Sequence, residues 1–182
     1  MKRRKFLKNS SLSTAGIFSA SILSACKTEK KQESVHEILK PIVIATWDVP
    51  NATNKAWEVL SNAGNSLDAV EQGVMIEEAD VENQSVGKGG RPDREGNVTL
   101  DACIMDKDSN CGAVVCLQNI VHPVSVARKV MEDTPHVMLA GKGAEMFAYD
   151  RGFKKENLLT EKSKKEWIEW KKTSKYQPVI NI

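Results

Sequence analysis

The stretch 86–118, VGKGGRPDREGNVTLDACIMDKDSNCGAVVCLQ, constrains the fold more than any other part of the chain. It opens with Gly87, Gly89 and Gly90, closed by Arg91-Pro92-Asp93. Glycines so placed let the backbone take positive φ and let another group approach closely. Asn97–Met105 is a run of strand formers, Asp106–Asn110 a polar turn cluster, and Gly112–Leu117 a second, more apolar run. Two such runs around a short Asp/Ser/Asn segment predict a β-hairpin. Their small and apolar residues predict a strand pair covered on both faces, which needs layers above and below. The glycine loop feeds this pair and is placed to line a site at the sheet's end. By itself it reads as a tight turn. It does not complete G-x-G-x-x-G, a strand and not a helix follows it, and no P-loop lysine pattern is present.

The first 26 residues read as a targeting segment. Met1–Lys8 carries Arg3-Arg4 followed by Lys-Phe-Leu-Lys, the look of a twin-arginine export signal, with Lys2 where Ser or Thr is commoner. Leu12–Ala25 is small and apolar, too short and Ser-rich to span a bilayer. Leu23-Ser24-Ala25-Cys26 resembles a lipobox, in which the Cys26 thiol accepts a diacylglyceryl group. The expectation is an exported protein, periplasmic or anchored to a membrane by lipid on Cys26. Residues 27–40, rich in Lys, Glu, Gln and Ser, read as a tether. His36 lies there with no Cys or second His nearby, so a metal role is not expected. Residues 41–182 form the expected folded domain.

The signal distorts the charge. The chain has 26 Lys and Arg against 24 Asp and Glu; five of the basic residues and none of the acids lie in 1–26. The remainder holds 21 basic and 24 acidic residues, a net charge of −3. Nothing here supports a nucleic-acid-binding face. Cys103, Cys111 and Cys116 do not match a zinc spacing. If Met105 pairs with Cys111, Cys103 and Cys116 point to opposite faces, which disfavours a disulfide between them. All three read as small buried residues.

Along the domain, Pro41–Trp47 reads as a buried first strand. Trp47, at its exit, is on the residues alone better taken as a core plug than a pocket wall. A helix follows, with Asn51 as a possible cap, Ala56, Val59, Leu60 and Ala63 as its buried stripe and Gly64 as its stop. A second helix, Ser66–Ile76, turns Leu67, Val70 and Val74, with Ala69 and Gly73, toward the core. After the hairpin come a helix over Pro123–Met131 ended by Thr134-Pro135, a short buried strand over His136–Ala140, and a helix over Gly141–Tyr149. Thr160–Lys172 reads as an amphipathic surface helix docked by Trp167 and Trp170. His122 and His136 read as structural or surface residues. Asp101, in a strand, needs a partner, and a structural one is favoured.

Several segments together resemble one family: Pro41–Trp47, Asn65–Gly73, Ser85–Asp93, Thr99–Asp106, Val124–Val130 and Thr134–Gly141. In this order they resemble the N-terminal, α-subunit part of the glycosylasparaginases, over nearly all of 41–182. The resemblance implies an α/β layered fold, half of the αββα sandwich of an N-terminal-nucleophile hydrolase, and an (αβ)2 assembly when complete. It also implies a precursor that cleaves itself between Asp and Thr. The freed Thr hydroxyl attacks the asparagine side-chain amide, and its own α-amine, of pKa about 8, acts as base. No metal or organic cofactor is implied. The resemblance moves Trp47 to a wall of the substrate pocket and makes the 87–93 loop a support for that region. Asp48-Val-Pro matches no family motif.

The chain departs from the pattern in one respect. His-Asp-Thr does not occur in it, and Asp133-Thr134 follows Glu132 and lies inside a segment matching the α subunit. The expectation is that the nucleophile lies beyond Ile182 on a missing β subunit, and that the chain alone is inactive. The alternatives are the α part of a plain L-asparaginase or isoaspartyl peptidase, and a non-enzymatic lipoprotein domain. Half a sandwich would also leave sheet surface exposed.

Overall fold

The computed structural model describes residues 40–174. Residues 1–39, which hold the expected export signal, the expected lipidation residue Cys26 and nearly all of the expected tether with His36, and the tail from 175 lie outside the described residues. The elements in chain order are α1 Pro50–Ser61, α2 Ser66–Ala79, β1 Leu100–Met105, β2 Cys111–Leu117, α3 Pro123–Asp133, β3 Met138–Ala140, α4 Gly141–Asp150 and α5 Glu161–Thr173. The described strands make one sheet in the order β1-β2-β3, an α/β arrangement.

The hairpin forms as its turn chemistry requires. The Asp106 carboxylate accepts the backbone N–H groups of Asp108 and Asn110 and the Asn110 side-chain amide, which hold its proton affinity below the usual carboxylate value. Met105 faces Cys111, Cys103 faces Ala113, and a bulge lies between Ala102 and Leu100. At the bulge Cys116 takes φ 54°, and its N–H donates to Asp101 at 2.7 Å. Asp101 therefore has the structural partner its position called for, but it is exposed and not buried.

β2, α3 and β3 form a crossover that leaves β2 parallel to β3. Pro123 starts α3, where its missing N–H costs no helical bond. α3 covers one sheet face, packing Val124, Ala127 and Val130 in one core with Ile104, Val114, Leu117 and Ile120; α4 adds Ala144 and Ala148. Gly112 permits the contact: a Cβ there would run into the Ala127 carbonyl and stand 2.7 Å from the Met131 nitrogen.

The other sheet face corrects several expectations. Cys103, Met105, Cys111 and Met138 are all exposed on it, so the pair is covered on one face only by the described residues. Cys103, Cys111 and Cys116 are free and exposed, not buried. β3 is an edge strand with Met138 and Ala140 exposed, not a buried one. For Cys103, Cys111 and β3 the physical reason is the same: among the described residues one helical layer lies against this sheet, and it lies on the other side; Cys116 sits at the bulge, where its positive φ takes it out of the regular alternation. Pro41–Trp47 is also not a strand. No described strand pairs with it, and Ile42 and Ile44 are 73% and 84% exposed. An apolar run becomes a strand only where a neighbour completes its hydrogen bonds.

α1 begins at Pro50 with Val49 as its cap residue, so Asn51 lies inside the helix. It ends through Ala63 at φ 62°, before Gly64. Asn65 caps α2 by accepting the Asp68 N–H at 2.8 Å. Where the two helices cross, Gly73 lies against the Ala52 carbonyl and Ala56. Val70 and Val74 are exposed and do not enter the core. The Arg128 guanidinium joins α3 to α2 through Asp68 and Glu71, each at 2.6 Å.

Candidate functional site

Trp47 is 75% exposed and precedes α1. The segment carrying it lies over the α1–α2 pair and closes a cleft of ≈ 680 Å³. Ala52, Thr53 and Ala56 of α1 and Val70, Gly73, Val74 and Glu77 of α2 form its floor. Val43 to Trp47 form one wall, and Asn83, Ser85 and Val86 close one end. This is why Val70 and Val74, patterned as core residues, remain open. Their helix face looks into the cleft.

The cleft is mainly apolar, with a few polar groups. Two of these are fixed on each other: the Asn83 amide donates to Glu77 at 2.9 Å, and its oxygen accepts the Ser85 N–H at 3.0 Å. The Ser85 hydroxyl makes no hydrogen bond among the described residues. It is thus available to a ligand lying beside Trp47. Among the described residues no histidine lines the cleft, so none of them gives Ser85 an imidazole base, and its hydroxyl stands there as a hydrogen-bonding group. Ser85 was not singled out from sequence. It sits in an aperiodic polar run, 83–85, whose only signal is its place just ahead of the glycines.

The glycine loop holds this end of the cleft. Gly87 has φ 58° and lies against the Glu78 carbonyl, leaving no room for a Cβ. The N–H groups of Lys88, Gly89 and Arg91 donate to the carbonyls of Glu78, Leu158 and Gln84 at 2.8, 2.8 and 3.1 Å. The Ser163 hydroxyl of α5 donates to the Gly89 carbonyl. These loop amides are taken by the protein, which leaves no phosphate cradle.

Two buried carboxylates lie away from the cleft. Glu78, at the end of α2, contacts the His122 ring at 3.2 Å, and burial raises its pKa above 4.5. Glu145 accepts from Tyr149 at 2.6 Å, Asn119 at 3.0 Å and Lys142 at 3.1 Å. The bond from Tyr149 leads in holding the Glu145 pKa down, while burial and then Glu145 push the Tyr149 phenol up to about 12. Both carboxylates are engaged in joining elements. Of the other sequence candidates, His122 has this structural partner and His136 is exposed. Among the described residues no group of three His, Cys, Asp or Glu could hold a metal ion, and no helix is long and apolar enough to cross a membrane.

A family model described as asparaginase matches residues 22–181. An N(4)-(β-N-acetylglucosaminyl)-L-asparaginase from Elizabethkingia miricola is 52% identical over 181 residues, 99% of this chain and 53% of that protein. The protein of the same name from Rattus norvegicus is 44% identical over 131 residues, 71% of this chain and 38% of that protein. The chain thus spans about half the length of the first of these relatives, and less of the second.

Proposed function

Because the chain belongs to the asparaginase family, we propose that it is the α-subunit part of an amidohydrolase that cleaves the bond between N-acetylglucosamine and asparagine. The observation that carries this reading is the 52% identity to a protein of that named activity over 99% of the chain. The share of that relative left unmatched is the natural source of the catalytic half.

In this proposal a β-subunit counterpart supplies the Thr nucleophile and its α-amine. The three-stranded sheet with helices on one face is half of an αββα sandwich, and the counterpart covers the other face. Trp47 forms an aromatic wall against the substrate, and the Ser85 hydroxyl offers it a hydrogen bond. The Thr hydroxyl adds to the side-chain carbonyl while its amine takes the proton. The glycosylamine then leaves with a proton, and water releases aspartate. The chain's own part is to bind and orient. Export through the twin-arginine signal and anchoring at Cys26 belong to the same proposal.

The test is release of aspartate from N-acetylglucosaminyl-asparagine by the protein as its gene encodes it, beside L-asparagine and an isoaspartyl dipeptide. Preference for the glycosylated substrate is expected. Turnover of only the other two would move the protein to the plain asparaginase branch, and turnover of none would remove the enzyme reading.

A further inference from the structure

The loop 84–91 separates two cavities. On one side Ser85 and Val86 face the cleft with Trp47. On the other, Arg91 and Pro92 face Ser163, Glu166, Trp167 and Trp170 of α5 across a pocket of ≈ 360 Å³. The Arg91 N–H donates to the Gln84 carbonyl at 3.1 Å, so the two rims meet through one hydrogen bond.

The second pocket has a fixed wall and an open one. Trp167 is held: its indole N–H donates to the Arg94 carbonyl at 3.2 Å, and its ring lies on Gly96, where a Cβ would come within 2.9 Å. Trp170 is 43% exposed, and its indole N–H has no partner among the described residues. The Arg91 guanidinium likewise makes no side-chain hydrogen bond or ion pair among them. Glu166 receives the Gln84 amide on Oε2 at 2.7 Å and keeps Oε1 for another donor.

This set selects a ligand class. The Trp170 indole offers flat apolar surface, while the Trp167 ring lies against Gly96 and carries the Lys171 ammonium 4.4 Å from its centroid. Arg91 offers donors and Glu166 an acceptor, of opposite charge, at the same pocket. An anion would meet the Glu166 carboxylate and a cation the guanidinium, so a neutral ligand fits best. It should have an apolar face and a rim carrying both donors and acceptors. A pyranose has that form: its axial C–H groups lie against an aromatic ring while equatorial hydroxyls and an acetamido group reach outward. The volume is that of a small-ligand site.

We propose that this pocket binds a neutral saccharide, as a second site beside the cleft. The assignment of the sugar as one linked to the asparagine-bound N-acetylglucosamine rests on the proposed activity; the pocket's preference for a sugar ring does not. Trp170 stacks on the ring, and Arg91 and Glu166 read its hydroxyls.

The experiment is titration of N,N′-diacetylchitobiose into the protein as its gene encodes it, followed by calorimetry and tryptophan fluorescence without any turnover. Saturable binding is expected, weakened about tenfold or more by Trp170→Ala or Arg91→Ala. Both side chains are exposed, so neither change threatens the fold. Met146→Ala, exposed and lining neither cavity, should leave this binding intact. Absence of saturable binding overturns the proposal. So does binding lost with Trp47→Phe and kept with Trp170→Ala. Binding without hydrolysis of the glycosylated substrate would retain the pocket and remove the activity; hydrolysis without binding would do the reverse.

Discussion

The carboxylate of Glu78, 2% exposed at the end of α2, accepts the backbone N–H of Val124 in the first turn of α3 at 3.1 Å. An acceptor 46 residues away in sequence thus satisfies an N–H that α3 cannot satisfy itself. Its other oxygen meets the His122 ring. Removing it by Glu78→Ala should cost about 1.5–3 kcal/mol, because the amide is left buried and unpaired. Chemical denaturation at constant pH checks this.

Glu78 also gives a pH dependence. Burial raises its pKa above the ordinary 4.5, with Glu71 adding to the rise and His122 and the Val124 amide opposing it. A carboxyl with a raised folded pKa holds its proton more tightly when folded. Its stabilising contribution is fully present below the unfolded pKa and is lost as pH rises through the folded one. Glu78→Gln keeps an oxygen for Val124 and does not titrate. Stability of the parent relative to Glu78→Gln should therefore fall as pH rises from about 4.5 through the region just above it. A flat difference across that range would contradict the assignment.

Gly112 should tolerate no side chain. Gly112→Ala places a methyl against the Ala127 carbonyl and Met131, both backbone of α3 or rigidly attached to it. The helix must move off the sheet, at a cost of about 1–3 kcal/mol or more. A drop in the urea midpoint with unchanged m-value is the expected result.

In the proposed enzyme, Ser85→Ala should lower kcat/KM for the glycosylated substrate. One neutral hydrogen bond is worth about 0.5–1.5 kcal/mol, so the loss should be about two- to twelvefold. Trp47→Ala should act in the same direction and more strongly, through KM. Steady-state kinetics on the two variants decide whether the cleft is the substrate site.

The bare sheet face has a chemical signature. In a Cys26→Ser background the free chain should react with a thiol reagent at Cys103, Cys111 and Cys116, since all three are exposed. Assembly with the proposed β counterpart should slow the reaction of Cys103, which shares its face with Met105 and Met138. Equal rates with and without the counterpart would mean that it covers a different surface.

Legibility in the sequence follows the range of each interaction. The hairpin and α3 were legible because their signals are local: Asp106 binds amides two and four residues on, and Pro123 sits at a helix start. Pro41–Trp47 has the apolarity of a buried strand, but an apolar run does not supply a partner strand. The thiols were misread because residue type does not say whether a sheet has one cover or two. Val70 and Val74 have the spacing of a buried stripe, and an apolar cleft needs the same stripe as a core. Trp167 docks as its helix phase suggested, while Trp170, three residues on, stays largely open. Glu78 carries no local signal and Ser85 only its place ahead of the glycines, since their importance comes from partners and neighbours distant in sequence.

The ring closed by the Arg91 N–H on the Gln84 carbonyl also limits how the gene can change length. Lys88 and Gly89 within it are pinned to Glu78 and Leu158. One residue gained or lost between 85 and 90 would put those donors out of step with their carbonyls and pull both cavity rims apart. The Asp106–Asn110 turn touches neither rim and carries no such restriction. Length polymorphism should therefore collect at the hairpin tip and be purged from the glycine loop, even where the glycines themselves are kept.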